Sequence, residues 1–255
     1  MQQMTKDARR KQILDIITTT KAVTSSELSA YFHVTEETIR KDLTYLSGEG
    51  LIIRTFGGAT AKETNESSLE QRNVYNYPQK SAIAAEASNL IQKSDLIVMD
   101  AGSTTSALAK CIPENSEVIV ITNSLDISVI LSQKAGVTLI STGGKLNTKS
   151  MSYRGDMVKN AIKLYNIQKA FISCSAIDIK RGIMDTNEEE AAIKQCMIAA
   201  AGEVYLLADS SKFNKIAHIT TSGFEKITAI YTDCGIDPQT ADLFRAKGIC
   251  LKIVE

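Results

Sequence analysis

The stretch HVTEETIRKDLTYLSGEGLIIRTFGGAT, residues 33–60, joins a helical pattern to a compact apolar run that ends in two glycines. Thr35 stands where a helix N-cap is expected, and Gly48 with Gly50 is typical of a helix end. The apolar side chains between them recur at the spacing of one helix face: Ile39, Leu43 and Leu46. We therefore predict a helix that is followed by one short β-hairpin.

The opposite face of this helix is polar and includes two cations. Arg40 and Lys41 stand beside threonines there; cationic groups donate to guanine or phosphate, and hydroxyls bond to phosphates or base edges. In a helix-turn-helix unit, the N-terminal part of the second helix enters the major groove of DNA. The candidate DNA-binding residues are Thr35, Glu37, Thr38, Arg40, Lys41, Thr44, Tyr45 and Arg54. Arg9, Arg10, Lys11 and Arg54 are expected to add contacts to the DNA backbone.

Two earlier apolar stripes predict two more helices before this one. Their side chains are Ile13, Ile16 and Ile17 in the first, and Leu28, Tyr31 and Phe32 in the second. Thr24 and Glu27 have the spacing of a capping box at the start of the second helix. A small helical domain with a solvated charged face is the alternative, because residues 1–60 hold only a slight excess of Lys and Arg over Asp and Glu.

Composition limits the other classes of function. The chain has 255 residues with 29 Lys+Arg and 29 Asp+Glu, so any basic surface must be local. Its five cysteines include no C-x-x-C pair, which favours a reducing compartment, and with only two histidines we expect no metal. MQQMTKDARRKQ at the N-terminus lacks the apolar segment of a signal peptide, and no apolar run approaches the roughly 20 residues that span a bilayer. We expect a soluble, cytoplasmic protein without a cofactor and without a membrane partner.

The pattern changes after the hairpin. Residues 61–79 are polar and include one of the three prolines, which indicates a linker or surface segment. Seven β-branched, apolar runs then alternate with stretches of helix length: LIVMD, EVIVITN, VTLISTGG, KAFISCSAID, EVYLLAD, ITAIYTD and ICLKIVE. Such alternation predicts βαβ units and a largely parallel, Rossmann-like sheet covered on both faces, so the fold class is α/β. The expected domains are residues 1–60, a linker over 61–79, and residues 80–255.

Polar residues follow these strands where each one ends. LIVMDAGSTTSALA ends a strand at Asp100, turns at Gly102 and starts a helix whose N–H groups and hydroxyls suit phosphate. Ligands of open α/β sheets bind beyond the carboxyl ends of the strands. The candidate ligand-binding residues are Asp100, Gly102, Ser103, Thr104, Thr105, Asn123, Ser124, Gly143, Gly144, Lys145, Asp178, Asn187, Glu190, Lys194, Asp209 and Lys212.

A structural alternative applies to the same residues, because any βα turn favours Gly and Thr. Two acid–base pairs would then be ordinary ion pairs, the first of them at i,i+4 on a predicted helix: Glu190–Lys194 and Asp209–Lys212.

The segment VTEETIRKDLTYLSGEGLIIRTFGGA closely resembles the winged helix-turn-helix signature of the DeoR-type repressors of sugar metabolism, V-S-x-x-T-I-R-R-D-L-x-x-L-x-x-x-G-x-x-x-R-x-H-G-G-A. The matching positions are Thr38, Ile39, Arg40, Asp42, Leu43, Leu46, Gly50, Arg54, Gly57, Gly58 and Ala59. Thr35 replaces the usual Ser and Lys41 the second Arg, and both replacements keep the chemistry. Phe56 stands where His is usual, so a wing contact through imidazole is not implied.

The strand-end motifs, taken in order, resemble the effector domain of the same family: D-x-G-S/T-T-T, T-N-S, G-G, I-D, N-x-x-E-A-x-x-K and D-x-S-K-F. The resemblance runs from about Arg9 to the end of the chain. It implies a fold related to ribose-5-phosphate isomerase and the CoA-transferase group, and a sensor of phosphorylated sugars or their derivatives. Ala176 and Asn214 both stand where Gly is frequent, and these departures bear on which sugar fits.

This resemblance implies a transcriptional repressor that binds double-stranded operator DNA as a homo-oligomer, a dimer or tetramer, and is released by a phosphorylated sugar effector. A second class is an enzyme, a sugar-phosphate isomerase or acyl-CoA transferase with an accessory N-terminal domain. Such an enzyme needs a carboxylate base, for which Asp100, Asp178, Glu190 and Asp209 are available. A third alternative makes the C-terminal part an oligomerisation domain only. The DNA-reading module and the polar strand ends favour the repressor.

Overall fold

The computed structural model describes residues 6–20, 22–49, 51–61 and 68–255. The chain divides into two compact units, Met1–Thr64 and Asn65–Glu255. Gly50, expected at the end of the third helix, and residues 62–67 of the expected linker lie outside the described residues, as do residues 1–5 of the N-terminal stretch.

The first unit consists of three helices and a small sheet. Its elements are α1 (Lys6–Thr20), β1 (Ala22–Thr24), α2 (Ser25–Phe32), α3 (Glu36–Gly48), β2 (Ile52–Thr55) and β3 (Gly58–Ala61). The predicted capping box is present, since Thr24 Oγ1 accepts from the N–H of Glu27 and the Glu27 carboxylate accepts from the N–H of Thr24. The three predicted helices and the hairpin are confirmed.

The predicted apolar stripes form the core of this unit. Its buried side chains are Ile13, Ile17, Val23, Leu28, Ile39, Leu43, Leu46, Ile52 and Ala59. Tyr31 was expected in the second stripe, but its side chain is 66% exposed. Leu28 and Phe32 lie one helical turn apart and pack against this core, which leaves the Tyr31 ring on the outer edge of the short helix.

β1 was not predicted, because three residues carry too little pattern to be recognised. It pairs antiparallel with β3 and extends the hairpin to a sheet of order β1-β3-β2. Gly58 allows this pairing, since a Cβ at that position would lie 2.0 Å from the carbonyl oxygen of Val23. Any other residue would therefore push β1 away from the hairpin.

The second unit is built around a parallel sheet. Its helices are α4 (Leu69–Val74), α5 (Tyr77–Ser88), α6 (Ser103–Cys111), α7 (Leu125–Leu131), α8 (Asp156–Lys163), α9 (Glu188–Ala200) and α10 (Pro238–Ala246), with a 3-10 turn at Ser210–Lys212. Its strands are β4 (Leu96–Met99), β5 (Ile119–Thr122), β6 (Thr138–Ser141), β7 (Lys145–Asn147), β8 (Ser152–Arg154), β9 (Ile167–Ile172), β10 (Ala176–Asp178), β11 (Gly182–Asp185), β12 (Ala201–Leu207), β13 (Ile219–Ser222), β14 (Ala229–Asp233) and β15 (Leu251–Val254).

All seven predicted runs contribute a strand to the main sheet, whose order is β15-β14-β12-β9-β4-β5-β6 and whose pairings are all parallel. Successive residues of its strands pack into two separate apolar clusters, one on each face. In β4, for example, Val98 belongs to one cluster while Ile97 and Met99 belong to the other. The α/β fold class with a sheet buried on both faces is therefore confirmed.

Two expectations about this unit are corrected. The run KAFISCSAID is not one strand, because β9 belongs to the main sheet and β10 to a small antiparallel sheet of order β10-β11-β13. Residues 61–79 are not simply a linker, because α4 and the start of α5 lie within them and Leu69 is only 3% exposed. No helix among the described residues is both long enough and apolar enough to cross a membrane.

Candidate functional site

α3 presents the predicted polar face to solvent in the first unit. The exposed side chains of this face are Glu37, Arg40, Lys41, Thr44 and Tyr45. Thr35 forms the N-cap, since its Oγ1 accepts from the N–H of Thr38 at 3.3 Å, and the two hydroxyls lie 3.0 Å apart. Both threonines therefore lie at the end of the helix that a helix-turn-helix unit directs at the major groove.

The two cations of α3 are paired with carboxylates on the same helix. Arg40 Nη2 lies 3.1 Å from Glu36 Oε2, and Lys41 Nζ lies 2.8 Å from Glu37 Oε1. The hydrogen bond and charge of Lys41 lower the pKa of Glu37, and Glu37 in turn raises the pKa of Lys41. All four side chains are exposed, and exposed pairs one helical turn apart are weak, so a phosphate competes effectively for both cations.

Arg54 was predicted to contact the DNA backbone, and the structure gives it a second role. Its Nη1 donates to Thr44 Oγ1 at 2.9 Å and to the carbonyl oxygen of Arg40 at 3.2 Å. Thr44 Oγ1 itself donates to the same carbonyl at 2.7 Å. These bonds join β2 to the middle of α3, so Arg54 holds the hairpin against the helix.

Arg9 and Arg10 do not lie as the sequence analysis expected. Their Nε atoms donate to the two carboxylate oxygens of Asp42 at 2.7 and 2.8 Å, and all three side chains are mostly or fully buried. The guanidinium of Arg10 also lies 3.7 Å from the centre of the Tyr45 ring. The expected DNA-backbone contacts of Arg9 and Arg10 are therefore corrected to internal ones that join α1 to α3. Lys11 is exposed, as a backbone contact requires.

Phe56 occupies the tip of the hairpin between β2 and β3, and its side chain is fully exposed. Gly57 next to it has a positive φ of 88°, a conformation that favours glycine and forms the turn. The hairpin therefore carries an apolar ring at its tip.

The second unit contains a cavity at the carboxyl ends of the central strands β4, β5, β9 and β12. It is partly open to solvent and has a cavity volume of about 50 Å³. Its lining residues are Arg72, Asp100, Ala101, Ser103, Thr104, Asn123, Ser173, Cys174, Ser175, Asp185, Glu190, Ile193, Lys194, Leu207, Ala208 and Lys212. Seven predicted residues are among them: Asp100, Ser103, Thr104, Asn123, Glu190, Lys194 and Lys212.

Asp100 anchors the floor of this cavity. Its Oδ1 accepts from Thr105 Oγ1 at 2.8 Å, and its Oδ2 accepts from the N–H and the hydroxyl of Ser173 at 3.0 and 2.9 Å. Gly102 is required beside it, since a Cβ there would lie 2.0 Å from Ser173 Oγ. The turn thus brings Ser103 and the N-terminus of α6 to the cavity wall, where the first N–H groups of a helix are available to a ligand.

Lys194 is held by two aspartates rather than by Glu190. Its Nζ lies 2.7 Å from Asp185 Oδ1 and 3.3 Å from Asp100 Oδ2. Although burial opposes it, the charge of Asp185 followed by that of Asp100 raises the pKa of Lys194 above its ordinary value. The Glu190–Lys194 ion pair of the structural alternative is therefore replaced by pairs across the tertiary fold.

Glu190 is bound by Arg154 instead, whose Nη2 lies 2.8 Å from Glu190 Oε1. Arg154 Nη2 also donates to Ser150 Oγ at 3.1 Å, so the hairpin of β7 and β8 is joined to α9. Burial raises the pKa of Glu190, but the charges of Lys194 and Arg154 outweigh it and hold the carboxylate in its ionised form.

Three polar side chains of the cavity have unused hydrogen-bonding groups within the described residues. The Oδ1 atom of Asn123, a residue only 3% exposed, has no donor, and the Nε and Nη2 atoms of Arg72 have no acceptor. The side chain of Lys212 forms no ion pair in that part of the chain. The expected Asp209–Lys212 pair is present only as a longer-range attraction, which outweighs burial, together with hydrogen bonds from Ser211 and Asn76, and lowers the pKa of Asp209.

The remaining predicted residues do not line the cavity. Four support it from behind: Gly102, Thr105, Ser124 as the N-cap of α7, and Asn187 as the N-cap of α9. Asp209 is fully buried and accepts from Asn76 Nδ2 at 2.9 Å. Gly143, Gly144 and Lys145 lie at the turn between β6 and β7. Asp178 is corrected to a turn residue, because its carboxylate accepts from the N–H groups of Lys180 and Arg181.

Sequence reasoning missed several residues of the cavity: Arg72, Ser173, Cys174, Ser175 and Asp185. Arg72 stands in the polar stretch assigned to a linker. Asp185 ends a strand of the small antiparallel sheet, which the parallel pattern did not predict. Burial raises the pKa of the Cys174 thiol, which keeps it protonated and unreactive. No cluster of His, Cys, Asp or Glu within the described ranges has a geometry suited to a metal ion.

Comparison with known proteins matches both units to family models. The DeoR-like helix-turn-helix domain matches residues 9–65, and the DeoR C terminal sensor domain matches residues 75–234. The HTH-type transcriptional regulator YulB of Bacillus subtilis is 35% identical over 243 residues, which are 94% of each chain. The HTH-type transcriptional repressor GlcR of the same organism is 30% identical over 254 residues, 99% of this chain and 98% of that one. The L-fucose operon activator of Haemophilus influenzae is 34% identical over 209 residues, 81% and 84% of the two chains.

Among solved structures, ribose 5-phosphate isomerase A from Methanocaldococcus jannaschii aligns with a TM-score of 0.40 at 16% identity. The alignment covers 54% of this chain and 55% of the isomerase. A likeness of this size says nothing about a shared activity.

Proposed function

The chain belongs to the DeoR family of transcriptional regulators, and from this premise we propose that it represses carbohydrate-utilisation genes and leaves its operator when a phosphorylated sugar fills the cavity of the second unit. The observation that carries the proposal is the pairing of an unengaged cation, Lys212, with the N-terminus of α6 in one cavity. Together they supply a charge and directed N–H donors, which is the chemistry that binds phosphate.

The rest of the cavity suits the sugar portion of such a ligand. Asn123 Oδ1 is an unused acceptor, and Ser103 and Thr104 add hydroxyls that both donate and accept. These groups match the alternating hydroxyls of a sugar chain. A cavity lined only for packing would be apolar, so the oligomerisation-only alternative leaves these groups unexplained.

The enzyme alternative is disfavoured by how the cavity carboxylates are bonded. Each of the three already accepts hydrogen bonds or ion pairs: Asp100 from Ser173 and Thr105, Asp185 from Lys194 and Thr221, and Glu190 from Arg154. A general base must be free to take a proton from carbon, whereas these carboxylate oxygens already have hydrogen-bond or ion-pair partners. The named relatives are regulators, and none of their names describes an enzyme.

On the DNA side, the exposed face of α3 is proposed to enter the major groove. Thr35, Thr38, Arg40, Lys41 and Thr44 would contact base edges and phosphates there. Such contacts release counterions, so operator affinity falls steeply with salt. A homo-oligomer, a dimer or tetramer, would place two such helices on a palindromic operator.

A panel of pentose, hexose, alditol and amino-sugar phosphates, each with its unphosphorylated partner, tests the ligand class by thermal shift on the full chain. The effective compound raises the melting temperature by mass action, while its unphosphorylated partner does not. The same compound is then added to the chain bound to DNA from upstream of its own gene, in a fluorescence anisotropy titration. Release supports a repressor that the compound induces, and tighter binding would contradict that proposal.

The variant Lys212→Ala is expected to bind the DNA like wild type while losing both the thermal shift and the release. A panel without any stabilising phosphate ester would overturn the proposed ligand class. Conversion of the effective compound into another sugar phosphate would restore the enzyme alternative.

A further inference from the structure

α4 is a short helix beside the cavity of the second unit, and it lies in the chain between the two family-matched segments, 9–65 and 75–234. Arg72 is the cationic residue of α4 that lines the cavity. The guanidinium has two buried nitrogens, Nε and Nη2, that find no acceptor within the described residues. Guanidinium donors buried without an acceptor are costly, and their planar fork matches the oxygens of phosphate or carboxylate.

The electrostatic surroundings of Arg72 point the same way. Lys194 and Arg154, followed by Arg72, help lower the pKa of Glu190 against the effect of burial, yet within the described residues Arg72 forms no ion pair with Glu190. The other cavity cation on the floor, Lys194, is already neutralised by Asp185 and Asp100. Arg72 and Lys212 are thus the cavity cations that an anionic ligand finds unengaged in the described structure.

The backbone of α4 is fixed at both ends by separate parts of the fold. At its start, the N–H of Leu69 donates to the carbonyl of Lys149 at 2.9 Å, in the turn between β7 and β8. At its end, the buried ammonium of Lys80 donates to the carbonyls of Arg72 and Tyr75 at 2.6 and 2.7 Å. The helix therefore rests on α5 and on the β7–β8 hairpin, with Arg72 between these two supports.

We propose that Arg72 is an anion-binding residue of the cavity and that α4, fixed by Lys80 and Lys149, is the element that passes ligand occupancy to the chain leading to the DNA-binding unit. The inference rests on the proposed function, because it needs an anionic ligand in this cavity. A bound phosphate satisfies the Arg72 donors and adds a third support to α4. α4 is then better ordered in the bound state than in the free state.

The first test titrates full-length protein with inorganic phosphate, against KCl of equal ionic strength, and follows thermal stabilisation. Arg72→Gln removes the guanidinium and should weaken the apparent phosphate affinity at least about tenfold, the effect expected for a lost charge-assisted hydrogen bond. Arg72→Lys keeps the charge but lacks the planar guanidinium, so its phosphate affinity should lie between those of wild type and Arg72→Gln. Arg181→Gln removes an exposed arginine that pairs with Asp178 in a turn, and it should respond like wild type.

The melting temperature measured without phosphate distinguishes an anion-binding arginine from a purely structural one. Because its buried donors are unbonded, Arg72→Gln should melt no more than about 3 °C below wild type without phosphate. The second test measures hydrogen exchange of peptides that cover residues 68–76. Phosphate should slow this exchange in wild type and in Arg181→Gln, and leave it unchanged in Arg72→Gln.

The outcomes separate this inference from the proposed function. Wild type that ignores phosphate in both measurements would overturn the anionic ligand and the role of Arg72 together. A wild-type response that Arg72→Gln retains in full would overturn the role of Arg72 and leave the proposed ligand class standing. If phosphate stabilises wild type thermally but does not change the hydrogen exchange of α4, the proposed transmission through this helix is overturned.

Discussion

Lys194 Nζ lies 2.7 Å from Asp185 Oδ1 and joins α9 to the end of β11 beneath the cavity. Both side chains are almost completely buried, and Thr221 Oγ1 donates to the other oxygen of Asp185 at 2.7 Å. A strand of the small antiparallel sheet and the helix that follows it in the chain are therefore joined by a buried charge pair.

Replacing Lys194 by Met should destabilise the second unit by about 3–5 kcal/mol, because Asp185 and Asp100 would be left buried without their cation. Urea unfolding followed by circular dichroism measures the change. Lys159→Met, which removes a lysine paired with the exposed Asp156, serves as the matched control and should stay within about 0.5 kcal/mol of wild type. Equal stability of the two variants would contradict the structural importance of the pair.

Asp42→Asn should destabilise the first unit by about 2–4 kcal/mol, since one carboxylate compensates two largely buried arginines, Arg9 and Arg10. α1 then loses its polar anchor on α3, and DNA binding should fall with it. Limited proteolysis and differential scanning calorimetry distinguish loss of this unit from loss of the second. Glu36→Gln, whose partner Arg40 is exposed, is the control, and a comparable loss there would refute the argument from burial.

Glu37→Gln should strengthen binding to non-specific DNA by about twofold to tenfold at low salt. The substitution removes a negative charge from the face proposed to contact DNA and frees Lys41, which is paired with Glu37 at 2.8 Å. Anisotropy titrations at several salt concentrations measure both the affinity and its salt slope. The gain should shrink as salt rises, and Arg40→Ala combined with Lys41→Ala should abolish operator binding. Unchanged affinity in Glu37→Gln would place this face of α3 away from the phosphates.

Lys80 predicts a pH dependence of stability. Burial, with Lys212 and Arg72 adding to it and Asp209 opposing it, lowers the pKa of Lys80 from 10.5 to about 8. The unfolded chain therefore binds this proton more tightly, so the stability contributed by this group increases as pH rises from about 8 to 10.5.

The neutral amine retains two N–H donors, which is enough for the carbonyls of Arg72 and Tyr75. Wild type should therefore gain on the order of 2 kcal/mol relative to Lys80→Met between pH 7 and pH 10. Parallel denaturation curves at each pH give the difference between the two proteins. A difference that stays constant across this range would show that the lysine has an ordinary pKa.

The sequence was sufficient for features that depend on local pattern. Ile39, Leu43 and Leu46 predicted the buried face of α3, and seven β-branched runs predicted every strand of the main sheet. Thr24 and Thr35 are the caps that their positions indicated, because capping is decided within four residues. The direction of the strands then placed Asp100 and Asn123 at one edge of the sheet, where the cavity lies.

The features that the sequence did not reveal depend on pairings between side chains that are far apart in the chain. Lys194 is spaced to pair with Glu190, yet it binds Asp185 and Asp100, because Arg154 from another hairpin takes Glu190. Arg9 and Arg10 looked like free cations for the same reason. Arg72 went unrecognised because a polar helix of six residues resembles a linker in composition, and only its supports in α5 and the β7–β8 turn make it a cavity element.

The internal pairing of Lys194, Asp185, Glu190 and Arg154 has a practical consequence for engineering. The charges that keep the second unit folded are not the groups left unpaired in the described residues, so folding and the proposed ligand recognition depend on largely separate side chains. A library that varies only Asn123, Lys212 and the hydroxyls at the start of α6 would explore new inducers at little risk to expression. The scaffold is thereby a practical starting point for genetically encoded metabolite reporters.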